Sequence, residues 1–188
     1  MSLKTRFGNL GNILDFDNLT EENIYVLDSP VLTNSQFKKF KKFFSKKIKI
    51  IDCTFDIKSN LKERIEKIRE EAETSVREGS TCLILSDKSI SEHKASIPSI
   101  LTVGAVHSHL VKHGLRGYCS LNVECSDAMD THSFAILIGV GATTVNPYLA
   151  IDCIHQRYEK KLFGKSDFNS CVKKFKKSID AGLLKIMS

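Results

Sequence analysis

The residues of this chain whose type and spacing bear on chemistry are carboxylates and histidines. Asp56, Asp87 and Glu124 each stand at or just past the end of a short apolar run, with Ser86, Ser126 and Asn146 in equivalent places. In parallel α/β folds ligands gather where strands end, because helix N-termini and loop amides converge there. Two or three carboxylates on one such rim would suit metal binding or acid/base work. The same residue types are also the preferred caps of helices and turns, and capping accounts for these positions more simply.

His107, His109 and His113 share one expected helix. A metal site on a helix wants imidazoles at i and i+4, as in H-E-x-x-H. His109 and His113 meet that spacing, but no glutamate stands between them at the required place and the sequence shows no clear third ligand. His107, three residues after Gly104, reads as a hydrogen-bonded structural histidine. Gly139-Val140-Gly141-Ala142 closes a helix and leads into a strand, the reverse of a dinucleotide-binding loop. The chain also lacks a G-x-x-x-x-G-K-S/T loop, a G-x-S-x-G elbow and a cysteine nucleophile with an evident histidine partner.

Hydrophobic periodicity outlines the scaffold that must position these groups. Thr33 or Asn34 can cap a helix over 34–46, followed by a β-branched strand over 48–53. Ser59 or Asn60 caps a second helix, where Leu61, Ile65, Ile68, Ala72 and Val76 form one stripe that ends at Gly79. The unbroken apolar run over 81–85 suits a parallel strand covered on both faces. A loop over 88–96 leads to Ile97-Pro98, with proline in the first turn of a helix that stops at Gly114. A strand over 118–124, a helix over 130–138, a strand over 143–146 and helices over 148–160 and 168–186 complete the chain. Strands separated by such helices imply βαβ crossovers. The expected fold is α/β: an open, mostly parallel sheet of four or five strands flanked by helices, resembling a partial barrel. Residues 1–33 read as an irregular arm that needs a neighbour, and 34–188 as the central α/β domain, one domain overall.

Bulk composition narrows the classes. No apolar run approaches the roughly 20 residues that span a bilayer, and the N-terminus lacks a signal-like stretch, so a cytoplasmic, membrane-free protein is expected. None of the six cysteines forms a C-x-x-C pair, and Cys53, Cys82 and Cys119 lie in strand-like runs, which reads as buried reduced thiols. The formal charge of +6 is concentrated in Lys38, Lys39, Lys41, Lys42, Lys46, Lys47 and Lys49 and again in Lys173, Lys174, Lys176 and Lys177. Phe37, Phe40 and Phe44, then Phe168, Val172, Phe175 and Ile179, interrupt those groups at helical spacing. That pattern is a solvated face opposite a buried stripe, and nucleic acid is not expected as a partner.

Several runs, taken in order, resemble one family. They are Gly8-Asn9-Leu10-Gly11-Asn12-Ile13-Leu14, Ser29-Pro30-Val31-Leu32-Thr33-Asn34, Leu85-Ser86-Asp87, Ile97-Pro98 with Val103-Gly104-Ala105-Val106-His107-Ser108-His109-Leu110, and Val145-Asn146-Pro147-Tyr148-Leu149-Ala150. Together they resemble the central domain of the glutamate synthase large subunit over nearly the whole chain. The resemblance implies an enzyme that turns glutamine, 2-oxoglutarate and reductant into two glutamates. An amidotransferase domain releases ammonia, a tunnel carries it, and a barrel with FMN beside an iron–sulfur cluster consumes it. The N-terminal cysteine of the amidotransferase and the clustered cysteines of the iron–sulfur site are absent from this sequence, which ends at Ile186-Met187-Ser188, about where the FMN barrel is expected to begin.

The implied role is a connecting domain that orients the amidotransferase and FMN-binding domains of the same polypeptide and lies against the ammonia tunnel. It is expected to hold no cofactor and to be inactive in isolation. Asp87, His107, His109, Glu124, Asn146 and Tyr148 fall in family motifs and are expected to be structural; no catalytic, cofactor-binding or metal residue is assigned. Asn9, Asn12, Thr33 and Asn34 are expected to face the amidotransferase or the tunnel mouth. The resemblance leaves NADPH, NADH and ferredoxin open as electron donors. The alternative is a stand-alone α/β enzyme or metal-binding domain that uses the strand-end carboxylates and His107.

Overall fold

A computed structural model describes residues 1–7 and 25–188. In chain order its elements are β1 (Thr5–Phe7), β2 (Tyr25–Leu27), α1 (Asn34–Phe43), β3 (Ile48–Asp52), β4 (Thr54–Asp56), α2 (Leu61–Arg77), β5 (Cys82–Ser86), β6 (Lys94–Ser96), α3 (Ser99–Lys112), β7 (Ser120–Glu124), α4 (Thr131–Gly139), β8 (Thr144–Asn146), α5 (Tyr148–Glu159) and α6 (Phe168–Met187). Side chains start four of the helices: Thr33 makes a reciprocal capping box with Gln36, Asn60 accepts from Lys62 N, Asp130 from Ser133 N and Asp167 from Ser170 N.

Strands β3, β5, β7 and β8 form a parallel sheet in that spatial order, so neighbours in sequence are neighbours in space. Right-handed crossovers between such neighbours send every connecting helix to the same face. That face carries Ile51, Leu83, Leu85, Leu121, Val123 and Val145, buried with Ile68 and Ala72 of α2, Val106 and Leu110 of α3 and Phe134 of α4. The opposite face has no crossover helix to cover it. There α1 lays Phe37 and Phe40 over Cys82 and Ile84, joined by Phe7 of β1 and Leu27 of β2.

Polar groups on this second face are paired. Asn122 is fully buried and donates to Leu83 O at 3.1 Å and Ser120 Oγ at 3.0 Å, while its Oδ1 accepts from Thr144 Oγ1 at 2.7 Å. The free edge of β8 is matched by residues 30–32, which run parallel to it: Leu32 N donates to Val145 O and Val145 N to Pro30 O, each at 2.9 Å. The result is the open parallel α/β sheet that the sequence predicts, four strands and a short fifth rung, with no closed barrel among the described residues.

Three local expectations change. The expected loop over 88–96 contains β6, which pairs antiparallel with β4. Lys94-Ala95-Ser96 lacks β-branched residues, so only the long-range pairing creates this ribbon. Pro98 is the N-cap of α3 rather than a residue of its first turn. Residues Arg116–Tyr118 form a 3-10 turn where a strand was expected to begin. Among the described residues no helix is long and apolar enough to cross a membrane. Cys53, Cys82 and Cys119 are free and buried, and desolvation pushes the first two thiols up to about 12. Asn9 and Asn12 lie outside the described residues.

Candidate functional site

The last residue of each parallel strand falls in a single register row, Asp52, Ser86, Glu124 and Asn146. Residues in one row of a parallel sheet share a face, and this row lies at the carboxyl ends, on the side covered by α1. Glu124 is its centre and is only 4% exposed. Ser86 Oγ donates to Glu124 Oε2 at 2.8 Å, and Lys88 Nζ and Lys41 Nζ lie 3.0 and 3.3 Å from Oε1. Burial alone would push the Glu124 carboxyl up; the bonds from Ser86 and Lys88 and the charge of Lys41 outweigh it and hold it below the usual range. At neutral pH this carboxylate is an anion held by three donors, which suits it to fastening α1 and not to accepting a proton from a substrate.

The residues that follow these strands extend the rim. Asp87 is buried, and its Oδ2 accepts from Ser126 N at 2.9 Å and Ser126 Oγ at 2.6 Å. Its Oδ1 has no hydrogen-bond partner among the described residues. Burial, then the charge of Asp87, pushes the Tyr148 phenol up, so it stays protonated. The ammonium of Lys88 stands 4.9 Å from the Tyr148 ring centroid, a cation–π contact that joins the two halves of the rim. Asn146 Nδ2 donates to Leu32 O at 2.9 Å and to Asn34 Oδ1 at 3.0 Å. Thr33 and Asn34 in turn line an open cavity of about 700 Å³, floored by Ile151 and Val172 and edged by Lys38 and Lys173.

The structure therefore brings Asp87, Glu124, Asn146, Tyr148 and Asn34 together and leaves the histidines apart. Asp56 caps its own turn, accepting from Lys58 N at 2.8 Å. His107 Nδ1 accepts from Arg116 Nε at 3.1 Å, and Arg116 also donates to Cys119 O and Gly141 O, which precede β7 and β8. This places His107 at the amino ends of the strands, roughly 15 Å of strand length from Glu124. Carboxylate rim and His107 cannot act on one reacting atom. Gly141 allows the approach: its φ is +120°, and a Cβ there would stand 2.3 Å from His107 Nδ1. His109 lies on the outer side of α3, with its Nε2 2.6 Å from Glu73 Oε2 of α2.

Sequence reasoning missed the two lysines on Glu124 and the glutamate beside His109. For Lys41 a signal existed: it follows Phe37 by four residues and precedes Phe44 by three, so it stands within the apolar stripe of α1 and not on the solvated face. Its ammonium lies 4.7 Å from the Phe37 ring centroid. For Glu73 the only signal was the i,i+4 spacing of His109 and His113, which says nothing about a partner helix.

The fold defines an open parallel α/β domain of the sequentially wound kind, whose strand-end polar groups are largely paired with one another. The chain belongs to the glutamate synthase central domain family, whose model matches residues 1–188. It is 47% identical over 191 residues to the glutamate synthase (NADPH) large chain of Azospirillum brasilense, covering all of this chain and 12% of that protein. It is 38% identical over 166 residues to the glutamate synthase (NADPH) large chain of Bacillus subtilis, covering 86% of this chain and 11% of that one. The chloroplastic ferredoxin-dependent glutamate synthase of Spinacia oleracea is 36% identical over 203 residues, again covering all of this chain and 12% of the relative. The chain thus spans about an eighth of the length of these relatives.

Proposed function

We propose that this chain is the connecting domain of a glutamate synthase. It fixes the relative orientation of the amidotransferase and FMN-binding domains, lies against the ammonia path between them, and contributes no chemical step. The observation that supports this reading is the state of the strand-end rim. Where parallel α/β folds keep an accessible site, Glu124 is gripped by Ser86, Lys41 and Lys88, and Asn146 is fastened to Leu32 and Asn34. Apart from Asp87 Oδ1, the groups at the carboxyl ends are spent on one another and hold a shape. A rigid wall is what an ammonia path requires, because ammonia escapes to water wherever the wall opens.

In this reading the arm, residues 1–33, is interface and residues 34–188 are the body. Thr33 and Asn34 face the amidotransferase or the tunnel mouth, and Asn9 and Asn12 are assigned to the same surface from the sequence alone. FMN and the iron–sulfur cluster belong to neighbouring domains, and the setting is cytoplasmic.

The test uses the full-length enzyme that carries this domain. Asn34→Ala and Thr33→Ala should raise the glutamine hydrolysed per glutamate formed by 2-oxoglutarate amination, while the reaction driven by added ammonia and the glutaminase reaction each keep their rates. An unchanged ratio in both variants, or glutamine turnover by the 188-residue chain alone, would contradict the proposal.

A further inference from the structure

A second cluster of chemistry-bearing side chains lies far from the rim, on the outer side of the crossover layer. His109 and His113 sit one turn apart at the end of α3, with ring centroids 4.3 Å apart. Glu73 of α2 faces both: its Oε2 is 2.6 Å from His109 Nε2 and 3.8 Å from His113 Nδ1. One donor atom from each of the three lies within 4.8 Å of the others. Two donors bound at about 2.1 Å to a tetrahedral zinc ion stand about 3.4 Å apart, a value that the two observed separations bracket.

We infer that Glu73, His109 and His113 form a binding site for a divalent transition metal ion of the zinc class, which clamps α2 to α3. Two imidazoles and one carboxylate are the nitrogen and oxygen donors that such ions take, and three protein ligands leave a fourth position for water. Partial exposure suits entry of an ion: the side chains are 21%, 13% and 33% accessible in the order Glu73, His109, His113. Glu73 is oriented in advance: Arg77 holds its other oxygen, with Nη2 at 2.8 Å and Nε at 2.9 Å from Oε1. His113 Nδ1 donates to the His109 carbonyl at 2.8 Å, a bond it gives up with its proton when it takes the ion. An ion-pair reading lets each histidine act on Glu73 separately; a metal site needs all three together.

Titration of the 188-residue chain with Co²⁺, followed by Zn²⁺ displacement, separates these readings. The site predicts one equivalent of Co²⁺ with the visible bands of four- or five-coordinate cobalt, displaced by one equivalent of Zn²⁺, and a raised melting temperature with Zn²⁺. Glu73→Gln and His113→Ala, at partly exposed positions, should each weaken the affinity by about tenfold or more. His155→Ala, on the exposed face of α5, should leave it unchanged. Only weak, octahedral cobalt, or His113→Ala binding as tightly as the parent, or equal losses from His155→Ala, would overturn the site.

Discussion

The closure of the rim by Glu124 can be weighed directly. Replacing Glu124 with alanine leaves the Ser86 hydroxyl, itself buried, without its acceptor and removes the shared anion of Lys41 and Lys88. A hydrogen bond to a charged group contributes about 1.5–3 kcal/mol. The lysine side chains are 31% and 50% accessible, so each can turn to water, and their pairing adds only about 0.5 kcal/mol apiece. Glu124→Ala should therefore cost about 3 kcal/mol once lost packing is included. Glu124→Gln, which keeps the shape and one acceptor oxygen, should cost about half as much. Urea unfolding of the chain at neutral pH measures both as shifts in midpoint at constant slope. The carboxyl is held low in the folded state, so its contribution is complete above the unfolded value near pH 4.3 and is lost as pH falls through the folded one. The gap between parent and Glu124→Gln should then narrow in acid. A glutamine variant as stable as the parent at pH 7, or a gap that does not depend on pH, would refute the reasoning.

Other outcomes follow from packing and titration. Phe40→Ala removes a fully buried ring from the aromatic cluster between α1 and β5 and should cost about 3–5 kcal/mol in the same unfolding assay. Gly141→Ala forces a side chain into the left-handed region and against the His107 ring, and should lower stability by about 2 kcal/mol or more. Burial, then the Arg116 charge, lowers the His107 pKa, so below about pH 6.5 the unfolded chain binds the proton more readily and stability falls; a pH series of melting curves should show that slope in the parent and a flatter one in His107→Gln. Asp130→Ala deprives α4 of the cap that accepts from Ser133 N and Oγ and should lower the melting temperature.

Local signals carried the body of the fold. The stripe Leu61, Ile65, Ile68, Ala72 and Val76 became the packed side of α2, and the unbroken run over 81–85 became β5 (Cys82–Ser86), buried on both faces. Strand ends could be placed, and with them Asp87, Glu124 and Asn146, because a parallel sheet puts the end of every strand on one rim. Partners across the rim stayed hidden, since Lys41 reaches Glu124 across 83 positions and periodicity within α1 says nothing about what its face will meet. The β4–β6 ribbon was hidden for the same reason: Thr54–Asp56 gives Lys94–Ser96 a ladder that no local preference announces. His109 illustrates the limit most plainly, as its neighbour Glu73 stands 36 positions earlier on a separate helix.

The pairing of residues 30–32 with β8 has a consequence for how the chain is assembled. Asn146 reaches Leu32 across 114 positions, Lys176 reaches Val31 across 145, and Ser29 reaches Asp180 across 151. During synthesis, residues 29–32 emerge well before the residues they pair with and must wait, unmated, until residues 146–180 have followed. Closing so long a loop is slow because its entropic cost precedes any reward. The early-made edge is the part of this domain most exposed to wrong partners in the interval.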